Sequence, residues 1–64
     1  MNYIEFNDIN YLWNSGHVFV YINGELVEDI FVDDTDKTSE EIIEGLKLKY
    51  GIDKVVEKTN YYTR

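Results

Sequence analysis

Cysteine and proline are both missing from this sequence, histidine occurs once, as His17, and the basic residues number only six. Without cysteine no disulfide can staple the chain, and no thiolate can act as nucleophile or metal ligand. One histidine and no thiol remove most nucleophile-and-base pairs and most metal sets on arithmetic. The four glycines form no phosphate-cradling run. Long apolar runs are missing too. The longest, Val18 to Ile22, falls far short of the roughly 20 residues a membrane helix needs, and Met1 to Phe6 lacks the basic start of a secretory signal. The expectation is a cytoplasmic protein, within a host cell, with no membrane partner, no cofactor, no metal and no enzymatic activity.

What is present is a short chain with much acid. Sixty-four residues make one domain, residues 1–64, and so small a fold buries only about 60% of its unfolded surface. Self-association is then the remaining reinforcement, and a homo-oligomer is expected. The net charge is −7. From Glu25 to Glu44 there are nine acids and one base, Lys37, so that stretch carries −8 while the rest sums to +1. Such a field repels phosphate, which argues against direct nucleic-acid binding.

Asn23-Gly24 between two apolar-rich stretches predicts a β-hairpin, because a type I′ turn needs positive φ at both central residues. With Ile22 opposite Glu25, regular alternation places Val18, Val20, Ile22 and Val27 on one face and Phe19, Tyr21, Leu26 and Ile30 on the other. Thr38 and Glu41 form a capping box for a helix ending at Tyr50, with Gly51 as its left-handed cap. Ile42, Ile43, Leu46 and Tyr50 form its apolar stripe, and Leu48 lies off it. Gly45 in mid-helix suggests close packing on a strand or on a partner. Residues 52 to 59 read as a last strand, extendable to Tyr61 and Tyr62, and a first strand lies somewhere in residues 2 to 13. The fold class is α+β: a small, antiparallel-dominated sheet in βββαβ order with one helix on one face. A sheet apolar on both sides needs two covers, and one helix supplies one.

Asp33-Asp34-Thr35-Asp36 has the look of a calcium loop, but either register fails. Starting at Asp34 puts Ser39 at the glycine position and Gly45 at the bidentate glutamate. Starting at Asp33 puts Lys37 at a ligand position. A solvated turn is the plainer reading. Glu40 and Glu41 complement the helix dipole, as Lys47 and Lys49 do at its other end. Neither the dipole nor capping accounts for Glu28, Asp29, Asp33, Asp34 and Asp36. Ten residues are aromatic, more than one helix on one sheet can cover, so some are expected at the surface.

The candidate partner-binding residues are therefore Glu28, Asp29, Asp33, Asp34 and Asp36, with Tyr21, Tyr61 and Tyr62 for apolar contact. The expected partner is the basic surface of a nucleic-acid-binding protein, met by carboxylates that pair with its arginines. In size, acidity and lack of catalytic residues the chain resembles the anti-CRISPR and DNA-mimic anti-restriction proteins of phages, a likeness of type that spans no motif and assigns no residue. It implies an inhibitor. The competing reading is a homo-oligomeric structural or assembly protein whose acids serve solubility. His17 is expected to be a plain strand-end residue.

Overall fold

A computed structural model describes residues 1–8 and 16–59. Three strands come first, β1 (Tyr3–Asp8), β2 (His17–Ile22) and β3 (Glu25–Phe31). A 3-10 turn at Val32–Asp34, the helix α1 (Ser39–Tyr50) and strand β4 (Val55–Thr59) follow. The four strands form one mixed sheet in the order β3-β2-β1-β4, with β1 antiparallel to β2 and parallel to β4. Parallel pairing needs a crossover, and α1 provides it by carrying the chain from one sheet edge to the other. This is the expected α+β class, with one helix on one face.

Local chemistry sets the turns. Asn23 and Gly24 have φ of 53° and 83°, as a type I′ turn requires, and the Asn23 amide donates to Asn2 Oδ1 at 2.9 Å. Both halves of the capping box are present at Thr38 and Glu41, and Gly51 adopts φ 66°. Ile4, Phe6, Val18, Val20, Val32, Ile42, Leu46 and Ile52 form the core, with Ile22, Ile30, Ile43 and Tyr50 packed at its margin. Leu48, off the stripe as expected, is 86% exposed.

The hairpin departs from regular alternation. Tyr21 pairs with Leu26 as expected, but Val20 pairs with Glu28, so Val27 is an extra residue in a β-bulge. The bulge reverses the faces of everything after it. Ile30 turns to the core side opposite Val18, Phe31 moves to the other side opposite His17, and Val27 is left 46% exposed. The last strand is also shorter than residues 52 to 59: Ile52 to Lys54 are irregular, and Ile52 enters the core from the loop. Gly45 has no neighbour within 4 Å of where a Cβ would stand, so it serves no close packing on a strand of this chain. The possible strand residues Ile9 to Trp13, and Tyr61 and Tyr62, lie outside the described residues. No described helix is long and apolar enough to cross a membrane.

Candidate functional site

Strand alternation separates the predicted acids. Glu28, turned by the bulge toward the helix side, is held by α1: the Lys49 ammonium donates to Glu28 Oε2 at 2.7 Å and the Tyr50 hydroxyl at 2.6 Å. The Lys49 hydrogen bond, and then that of Tyr50, hold the Glu28 carboxyl below its ordinary range, and Glu28 in turn raises both Lys49 and Tyr50. Asp29 points to the opposite face, where its Oδ1 pairs with His17 Nε2. These two carboxylates are engaged within the chain, on opposite sides of β3.

Asp33, Asp34 and Asp36 stay together. Asp33 and Asp34 lie in the 3-10 turn and Asp36 in the bend after it, all exposed, and Glu40 follows at the helix start. Thr35 organises the bend: its hydroxyl donates to Val32 O at 2.8 Å and accepts from the Lys37 amide at 3.1 Å. Among the described residues none of Asp33, Asp34, Asp36 and Glu40 makes an ion pair. The result is an acidic rim at the start of α1, beside an open hollow lined by Val32, Asp33, Thr35, Asp36, Lys37 and Thr38. Among the described residues no group of three or more His, Asp or Glu side chains is disposed to hold a metal ion.

Tyr21 belongs to a second surface, the sheet face turned away from α1. Its ring stacks on Tyr3 at 4.8 Å and tilts against Phe19 at 6.3 Å; the His17 ring stacks on Phe19 at 4.1 Å and on Phe31 at 3.9 Å. Five rings thus run continuously across three strands. Met1, at 76% exposure, Phe31, at 51%, and Leu26, at 48%, are its most open apolar members. Sequence reading missed His17 as the link of this row. The signal was there in the i, i+2 spacing of His17, Phe19 and Tyr21, which puts all three on one side of a strand whatever the partner register. Phe31 lay hidden behind the bulge.

The chain is a small α+β domain with an acidic rim and an aromatic sheet face. Compared with family models, curated proteins and solved structures, it gives no match.

Proposed function

We propose that this chain is a non-enzymatic protein-binding domain that presents the acidic rim to a basic, nucleic-acid-binding surface of another protein, and so acts as a small inhibitor of the phage or mobile-element kind. The observation that supports this most is the separation within the acidic segment. Glu28 and Asp29 are used to hold the fold, whereas Asp33, Asp34 and Asp36, with Glu40, form no ion pair among the described residues. Clustered, unneutralised carboxylates cost stability by mutual repulsion, and arginines of a groove that normally holds phosphates would relieve it. Asp33, Asp34 and Asp36 are the centre of the surface; Glu28 and Asp29 are peripheral.

The test is inhibition of DNA cleavage by a panel of RNA-guided nucleases and restriction endonucleases, with wild type beside the Asp33→Asn/Asp34→Asn/Asp36→Asn variant. Inhibition relieved by excess DNA and lost in the triple variant supports the reading. Inhibition that the triple variant retains in full at low salt removes the acidic rim from it.

A further inference from the structure

The sheet face opposite α1 has a regular layout. At the level of the hairpin turn it carries, from β3 to β4, Leu26, Tyr21, Tyr3 and Lys54; at the next level Asp29, Phe19, Glu5 and Val56; at the last Phe31, His17, Asn7 and Lys58. Its charges balance: Asp29 and Glu5 against Lys54 and Lys58. The chain's −7 therefore lies elsewhere, so neither a strongly basic nor a strongly acidic partner is selected by this face. The acid Asp29 is at the β3 edge and both lysines are at the β4 edge, so the face is complementary to itself.

We propose that this face binds a second copy of the chain, sheet against sheet, about a two-fold axis parallel to the strands and between β1 and β2. That rotation lays β3 of each copy over β4 of the other. Asp29 then lies between Lys54 and Lys58 of the second copy, Leu26 meets the Lys54 stem, the Phe31 ring meets the Lys58 ammonium, and the Tyr3 and Tyr21 pairs meet on the axis. The other face-to-face arrangement, with the axis across the strands, places Asp29 on Asp29 and Lys54 on Lys58. Like charges therefore oppose it, and the aligned arrangement also suits the small angle at which twisted sheets pack.

The size of the face sets the strength. Four strands about 4.8 Å apart give a width of about 19 Å, over a strand length of about 20 Å. Two such faces bury on the order of 1,000 Å² in all, the range of reversible rather than permanent complexes. Glu5 is paired with Lys58 at 3.6 Å, and covering that pair costs desolvation. A weak, reversible dimer is expected.

Sedimentation equilibrium from a few micromolar to several hundred micromolar tests assembly, and engineered cysteines test the arrangement in a chain that has none of its own. Leu26→Cys/Lys54→Cys should oxidise to a covalent dimer, whereas Asp29→Cys alone should not. Lys54→Glu should weaken the dimer about three- to tenfold, with circular dichroism showing the variant folded. A folded monomer at several hundred micromolar overturns the proposal, as does efficient cross-linking of Asp29→Cys alone. Quenching of tyrosine fluorescence by an oligothymidylate at physiological salt would assign the face to nucleic acid and overturn it equally. None of these readouts involves Asp33, Asp34 or Asp36, so the dimer and the acidic rim stand or fall separately.

Discussion

Gly16 has φ 138°, and a Cβ placed there would stand 2.7 Å from Phe6 Cε1 and 3.0 Å from the carbonyl oxygen of Asn7. Its own carbonyl accepts the Val32 amide at 3.1 Å, so this backbone also anchors the end of β3. Gly16→Ala meets both the unfavourable φ and a core ring with no slack, and should cost about 2 kcal/mol or more, read as a lower urea midpoint. Gly45 is the opposite case. It is exposed, sits inside α1, and has open space where a methyl group would go. Gly45→Ala should stabilise by about 1 kcal/mol through helix propensity alone, a rise in melting temperature of roughly 4–8 °C for a domain this small. Sequence identifies Gly45 as unusual, and the helical period places it well off the Ile42, Ile43, Leu46 and Tyr50 stripe, so contact with the sheet is excluded by the same geometry that exposes Leu48.

At the level of elements, what was legible followed from short-range chemistry. Asn23-Gly24, the Thr38–Glu41 box and the Gly51 cap each need only residues a few positions apart, and each is where the residues put it. The bulge at Val27 was not legible. No glycine or proline marks it, and what favours it lies 21 and 22 residues beyond Glu28, at Lys49 and Tyr50, which satisfy Glu28 once it faces the helix. For the same reason Glu28 read as a surface acid, although its main partners are internal. This cluster gives α1 and β3 a shared pH dependence. Because the fold lowers Glu28, its contribution is present above the unfolded carboxyl pKa and is lost as pH falls through the folded one. Because the fold raises Lys49 and Tyr50, theirs is present below their unfolded values and is lost as pH rises through the folded ones. Glu28→Gln should flatten both limbs of a stability profile measured from about pH 3 to pH 11, since both depend on the same carboxylate. Unchanged limbs would mean that the three side chains do not hold each other in solution.

For the molecule as a whole, the sign of the net charge was plain from composition, but its arrangement was not. Strand alternation sends Glu28 and Asp29 to opposite faces, Lys54 and Lys58 line the sheet face, and five carboxylates without an ion pair among the described residues, Asp33, Asp34, Asp36, Glu40 and Glu41, collect at the 3-10 turn and the helix start. Residues held for folding and residues available for a partner should therefore respond differently to neutralisation. Replacing Asp33, Asp34 and Asp36 together by asparagine breaks no ion pair among the described residues, so thermal stability should stay nearly level or rise as like-charge repulsion falls. Replacing Asp29 by asparagine removes the negative charge facing His17 and leaves only a neutral acceptor, and should lower stability, which makes it the control for charge loss at a structural site. Against a basic partner, the triple variant should associate more slowly at low salt and lose most of the salt dependence of its on-rate, the signature of steering by complementary charge. The dissociation rate should change less, because exposed carboxylates at a rim steer encounters more than they hold contacts. Stopped-flow association between roughly 50 and 300 mM salt separates these effects. An on-rate and salt slope equal to wild type would leave the three aspartates a role in solubility alone.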